Sequence, residues 1–160
     1  MSKQTTWIIF PYYIGFLWIK RKLAPLTVLV GIVALLSIPF LLWDAPAFIE
    51  STILYLSGNS ATSYPVSGYG LGMVLYEFGF IRDFHAYYPF IVWQLVVSIL
   101  ALILCFRWLK RTTGVSTLIL VYSVTLFLFW YTSRYFNNSH VGFLSWIFAL
   151  GVLRHLDEKT

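Results

Sequence analysis

Between Leu23 and Trp43 the chain runs for about 21 residues without a charged side chain. This run constrains the fold more than any motif does. A bilayer's hydrocarbon core is ~30 Å thick and an α-helix rises ~1.5 Å per residue, so ~20 apolar residues cross it. Other segments follow the same pattern. Tyr87–Phe106 is interrupted only by Gln94 and Ser98, and Val115–Thr132 carries Ser123 and Thr125 as mild polar residues. Val141–Leu153 is about 13 residues and reaches span length only by including Asn138 to His140. Trp7–Ile19 is also about 13 residues and contains Pro11; as a helix it covers only ~20 Å.

Composition closes off the alternatives. Hydrophobic residues make up 59% and charged residues 11%, where a soluble domain carries ~25% charge. An ordinary soluble enzyme, a disordered tail, a coiled coil and a disulfide-stapled domain are all excluded. A single cysteine, Cys105, leaves no intramolecular disulfide. The expected fold class is all-α, a multi-pass transmembrane helical bundle with short interfacial helices in one long outer loop. Its spans are placed near 7–19, 23–43, 87–106, 115–132 and 138–153. The first segment stops at Lys20-Arg21-Lys22 with no small-residue cleavage site, so it reads as an anchor and not as a signal peptide. It fits equally a complete short helix, its mismatch absorbed by local thinning, or the stump of a longer one.

The few charges set the orientation. Lys20, Arg21, Lys22, Arg107, Lys110, Arg111, Arg154 and Lys159 fall on one side if every segment crosses; Lys3, Arg82 and Arg134 fall on the other. Eight against three makes the first side cytoplasmic, and the expected location is a bacterial inner membrane with the loop 44–86 outside. Short basic clusters beside apolar runs are an orientation signal, so nucleic acid is not an expected partner, whereas membrane lipid is.

The long loop has internal order. Asp44-Ala45-Pro46 is a helix-start signal, with Asp44 as cap and Pro46 in the first turn. Interfacial helices are expected near 45–57 and 71–81, with Gly58 ending the first and a polar loop at Ser57–Ser63. Gly68-Tyr69-Gly70-Leu71-Gly72 has no following GK[ST] and is no phosphate loop; it reads as a flexible bend, or else as close backbone approach to a ligand, with Tyr69 as a binding candidate. Asp44, Glu50, Glu77 and Asp83 put four of the six acids in this loop. Asp44, at the membrane exit, is a weak catalytic candidate. His85, His140 and His155 are scattered, so no cofactor is expected, and a divalent metal only with residues outside the chain.

The strongest cluster is Tyr131 to His140. If a helix continues through it, Tyr131, Arg134 and Asn138 share one face. An arginine at the bilayer edge is a phosphate clamp, and Asn138 and His140 add neutral hydrogen bonding for phosphate or sugar hydroxyls. The competing reading is a snorkelling arginine that caps a turn.

Three stretches carry a family likeness: Pro39–Phe48, Tyr64–Leu71 and Ser133–Asn138. They resemble the C-terminal membrane part of bacterial GT-C glycosyltransferases, which take sugars from polyprenyl-phosphate donors at the outer face. The resemblance runs from about Trp7 onward. It implies a lipid-facing cavity, a polyprenyl-phosphate sugar donor and a phosphate-holding role for Arg134. That family's catalytic carboxylate lies in the first outer loop, and the resemblance places Asp44 in a later one. The implied molecule is therefore a truncated relative, inactive alone, with a missing N-terminal membrane half or a partner subunit. The alternative is a non-enzymatic lipid-carrier translocase or scaffold subunit. A translocase needs polar residues deep in its spans, and only Gln94, Ser98, Ser123 and Thr125 qualify.

Overall fold

The computed structural model describes residues 8–22, 24–54 and 64–158. The polar loop at Ser57–Ser63, Gly58, Lys3 and Lys159 lie outside the described residues. The architecture is mostly helical. In chain order come α1 (Ile9–Ile19), α2 (Ala24–Ile49) with a π-helical turn at Glu50–Leu54, β1 (Ser67–Gly68), α3 (Leu71–Glu77), α4 (Phe90–Thr112), α5 (Val115–Tyr131), β2 (Tyr135–Phe136) and α6 (Asn138–Asp157).

Helix α5 is the centre. It packs on both α4 and α6, and α1 lies against α4 and α5. Its apolar residues show no one-sided stripe because it is covered on several faces, from Leu118 and Val121 to Leu126 and Trp130. The α4–α5 connection is only Thr113 and Gly114. Thr113 adopts the left-handed conformation (φ 44°) and stops α4, so the two helices fold back as a hairpin. The hydroxyls inside this bundle are engaged: Ser123 Oγ donates to Leu120 O (2.8 Å), Thr125 Oγ1 to Val121 O (2.9 Å), and Tyr12 OH pairs with Thr125 Oγ1 (2.5 Å). Gln94 Nε2 donates to Phe129 O (3.3 Å). Of the polar residues a translocase would need, only Ser98 has a buried oxygen with no partner.

Several boundaries differ from the expected ones. Helix α4 begins after Pro89, whose fixed φ suits a helix start. It runs on through Arg107, Lys110 and Arg111 to Thr112. Long basic side chains are good helix formers and favour the C-terminal end of the helix dipole, so the first charge does not end the helix. The helix expected near 71–81 is shorter, Leu71–Glu77, and is closed at Gly79 (φ +75°). The segment expected near 45–57 is continuous with α2, bent at Asp44 (φ −151°, ψ 84°), and ends in the π-helical turn. Asp44 Oδ1 accepts the Ala47 N–H at 3.0 Å and so caps the part beyond the bend.

Among the described residues, two helical stretches, Ala24–Thr52 and Phe90–Thr112, are long and apolar enough to cross a membrane by length and composition. Helices α1 and α5 are shorter apolar helices. Helix α6 has 20 residues, but polar Asn138, Ser139 and His140 open it and Arg154, His155 and Asp157 close it. No residue of α2 is buried, and Trp43 is 90% exposed.

Chain direction sorts the charges. Ile8 and Ile9 pack against the cluster that holds Leu126, Trp130 and Phe136, whereas Tyr12 belongs to the cluster of Cys105, Leu109 and Leu118. The C-terminal ends of α1, α4 and α6 therefore lie at one end of the bundle together with Lys20, Lys110, Arg111 and Arg154. A latch closes this end. Glu158 accepts from Ser116 Oγ (2.6 Å) and from the Ser116 N–H (3.3 Å), capping α5 from the far end of α6. The Ser116 hydroxyl bond, followed by the Ser116 backbone bond, Arg154 and His155, holds the Glu158 carboxyl below its ordinary range. A depressed acid stabilises the fold above its unfolded pKa, and that contribution is lost as pH falls through the folded value. The protection of the Ser116 amide, the slowing of its exchange relative to an unstructured amide at the same pH, should thus fall on acidification below the ordinary glutamate range in the native chain. In Glu158→Gln that protection should already be lower at neutral pH and should lack this pH dependence.

Candidate functional site: a buried arginine in a three-segment platform

At the opposite end of the bundle α5 stops at Tyr131. Thr132 Oγ1 turns back to Leu128 O (2.8 Å) and Ser133 Oγ to Trp130 O (2.6 Å), bonds that compete with a further helical turn. A new helix starts at the N-cap Asn137: its Oδ1 accepts the His140 N–H (3.4 Å) while His140 Nδ1 accepts the Asn137 N–H (3.2 Å). This reciprocal capping box fixes the start of α6. The helix does not continue through the cluster, so Tyr131, Arg134 and Asn138 do not share the helical face expected from their spacing. The physical reason is the pair of back-bonding hydroxyls followed by the Asn137 cap.

The segment between the helices is extended instead. Tyr135 and Phe136 pair in parallel with Ser67 and Gly68. The Ser67 N–H donates to Arg134 O (3.3 Å) and the Tyr69 N–H to Phe136 O (2.7 Å). A parallel pair this short rests on close backbone approach, and the glycines provide it. Gly68 has φ +94°, and a Cβ there would overlap the Phe136 carbonyl. At Gly70 a Cβ would sit 2.7 Å from Tyr131 O, and at Gly72 2.9 Å from Arg134 O. The Gly-Tyr-Gly-Leu-Gly stretch is therefore not a flexible bend. It is the bed on which residues 131–136 lie, and its close approach is to the chain's own backbone.

Arg134 sits at the junction and is only 3% exposed. Its Nη2 donates to Phe84 O (3.1 Å), which also accepts the Val66 N–H (2.8 Å). One carbonyl thus ties together Val66, the residue before β1, the turn at 83–86 and the loop carrying the arginine. Phe84 is held in turn by stacking on Tyr76, with ring centroids 4.1 Å apart. The rest of the guanidinium is unmatched: Nε and Nη1 are buried with no partner. Burial lowers the pKa of Arg134, and the charge of Asp83 opposes that shift. Arginine's very high intrinsic pKa keeps it a cation. Buried guanidinium N–H groups normally find acceptors, so two unpartnered nitrogens on one arginine are an exception that calls for an explanation.

The other candidate residues take different places. Tyr131 is half-buried, with its ring near Phe127 and Phe136 (5.8 and 6.3 Å). The His140 ring is half-buried against Trp130 (4.5 Å) and Tyr135 (5.3 Å), and its Nδ1 belongs to the capping box. Asn138 is exposed in the first turn of α6. Tyr69 is 65% exposed; its backbone belongs to the platform and its side chain faces outward. Asp44 is engaged in its own helix cap. Sequence reasoning assigned no role to Phe84 or Val66, which build the junction through backbone atoms and so leave no side-chain signature. Asp83 accepts the His85 N–H at 3.0 Å, and no cluster of three or more His, Cys, Asp or Glu occurs among the described residues. The platform thus presents a buried, incompletely bonded guanidinium on which the Asp83 charge acts.

No protein-family model matches the chain, and no curated protein or solved structure matches it significantly.

Proposed function

We propose that the chain is an integral membrane protein whose Arg134 platform holds the phosphate of a polyprenyl-linked sugar at the outer face of a bacterial inner membrane. On this reading it is related to the C-terminal membrane part of GT-C glycosyltransferases and acts as a binding unit, with catalysis depending on a carboxylate from outside the platform. The observation that carries it is the buried, incompletely bonded guanidinium of Arg134. Three further facts support it. Apolar side chains such as Leu42, Trp43 and Trp146 stand outward at 80% exposure or more, as lipid-facing surfaces do. The basic residues Lys20, Lys110, Arg111 and Arg154 gather at the end away from Arg134, the charge placement of a cytoplasmic face. The bonded state of Gln94, Ser123 and Thr125 leaves little of the polar pathway a translocase requires.

The test is binding of a long-chain polyprenyl phosphate to the full chain reconstituted in nanodiscs. Arg134→Ala should lower affinity by roughly 100-fold, the scale of one charge-assisted hydrogen bond to phosphate in a buried site. Equal affinity in the variant would end the phosphate assignment and leave the scaffold reading.

A further inference from the structure

A six-residue pattern occurs twice in the chain. Phe16-Leu17-Trp18-Ile19-Lys20-Arg21 and Phe106-Arg107-Trp108-Leu109-Lys110-Arg111 both read Phe-x-Trp-x-Lys-Arg. One copy closes α1 and the other lies in the last turns of α4. These helices run side by side in the same direction, and the Phe106 ring lies on Gly15, where an added Cβ would overlap it. The fold thus sets the two copies nearly level, at the end of the bundle away from Arg134.

Each copy holds its lysine in the same way. Lys20 Nζ lies 5.8 Å from the centre of the Phe16 ring, and Lys110 Nζ lies 5.2 Å from that of Phe106. Each ammonium is turned back by one helical turn toward the apolar part of its helix, against the direction in which a snorkelling lysine reaches for water. The backbone of the first copy is fixed as well. The Arg21 N–H donates to Trp18 O (3.0 Å) and the Lys22 N–H to Leu17 O (2.9 Å), closing α1 through a left-handed Arg21 (φ 54°). No Asp or Glu occurs from Ile8 to Lys22 or from Phe90 to Val115. Asp157 and Glu158 stand at the far end of α6, which packs on α5, and Glu158 is taken up by Ser116 (2.6 Å) and Arg154 (3.6 Å). Lys20, Arg21, Lys110 and Arg111, all exposed, are thus gathered on two neighbouring helix ends that carry no carboxylate.

The surroundings say what kind of anion fits. Trp18 and Trp108, 73% and 41% exposed, precede the two lysines by two residues, and indole rings favour the headgroup level of a bilayer. On α4, Ile103, Phe106 and Lys110 recur at i, i+3 and i+7 on one face, and Ile103 is exposed. Apolar surface therefore continues from the cation toward the middle of the helix. A free anion would use the cations alone, whereas an anionic lipid uses both.

We infer that the paired Phe-x-Trp-x-Lys-Arg ends of α1 and α4 form one seat for the phosphodiester headgroup of an anionic phospholipid in the leaflet facing that end, with Lys20 and Lys110 as its clamp. Basic pockets between membrane helices hold anionic headgroups on this principle. The seat is separate from the Arg134 platform and does not depend on the phosphate reading of Arg134.

The experiment uses the full chain in nanodiscs of phosphatidylcholine with a minor fraction of phosphatidylglycerol. After release into detergent, native mass spectrometry counts the lipids that stay bound. The native chain should retain phosphatidylglycerol over phosphatidylcholine by roughly tenfold beyond their ratio in the disc. Lys20→Gln with Lys110→Gln should abolish most of that enrichment, while Lys20→Arg with Lys110→Arg keeps it, since arginine retains both charge and ring contact. Phe16→Leu with Phe106→Leu keeps every charge but frees the lysines, and should lower the enrichment about threefold. Arg134→Ala should leave it unchanged. No enrichment in the native chain, or native enrichment in the double glutamine variant, overturns the seat. Loss in the glutamine variant with full enrichment in the double leucine variant overturns it too, because the lysines would then act as diffuse surface charge.

Discussion

Replacing Gly68 with alanine is expected to unseat the Arg134 platform while leaving the helical bundle intact. The site demands φ +94°, and the new methyl group would overlap the Phe136 carbonyl, which is backbone and has no rotamer to yield. Left-handed strain in a non-glycine residue costs ~1–3 kcal/mol by itself, and the overlap adds to it, so a local loss of ~3 kcal/mol is expected. Hydrogen exchange reads this directly. The Tyr69 amide, bonded to Phe136 O at 2.7 Å, should exchange roughly 100-fold faster in Gly68→Ala. Amides in the middle of α5 should be unaffected. Gly142→Ala is the matched control: that helical position has nothing within 4 Å of an added Cβ, and alanine should hold or raise stability by up to ~1 kcal/mol. Equal exchange of the Tyr69 amide in native chain and Gly68→Ala would show that the β1–β2 pairing does not seat the arginine loop.

The second large effect separates holding the fold together from holding a ligand. Arg134→Met keeps most of the side chain's apolar volume and removes its charge. If the guanidinium served only as a clamp on Phe84 O, the variant would lose a charge-assisted hydrogen bond worth ~1.5–3 kcal/mol. But Nε and Nη1 stay buried and unpartnered in the native chain, and replacing a poorly compensated buried ion with an apolar group is often neutral or stabilising. In nanodiscs without added ligand, Arg134→Met is therefore expected to unfold at the native temperature or above it. Polyprenyl phosphate at ~100 times the native dissociation constant should stabilise the native chain by ~2.7 kcal/mol and the variant, if its binding is ~100-fold weaker, by only ~0.4 kcal/mol. Lower stability in the ligand-free variant, with the same ligand-induced gain as the native chain, would make Arg134 a structural clamp.

What the sequence disclosed follows the range of each interaction. Asp44 could be read as a cap because the Asp-Ala-Pro pattern and the Ala47 N–H it serves lie within four residues. Arg134 stood out because cations are rare in so apolar a chain. Its surroundings were not legible. The carbonyl that binds it belongs to Phe84, 50 residues earlier, and any residue type has that carbonyl. A two-residue parallel pair is too short to show the alternation that marks a strand. The break at Tyr131 did leave a trace, since Thr132-Ser133 and the Asn137-to-His140 spacing are the residues of a helix stop and a capping box. Helical face spacing was the wrong geometry to apply across them. The glycine-rich stretch announced close approach, but what approaches is set by tertiary packing and not by the spacing itself.

The most direct test watches the unpartnered nitrogen. In the full chain labelled with ¹⁵N-arginine and held in nanodiscs, the Arg134 Nε–H resonance is assigned by its disappearance in Arg134→Lys. Titration with long-chain polyprenyl phosphate should move that resonance downfield, slow its hydrogen exchange, and leave the other arginines where they were. An Arg134 Nε–H signal that keeps its position and exchange rate at saturating ligand would contradict the assignment of this guanidinium as the phosphate site.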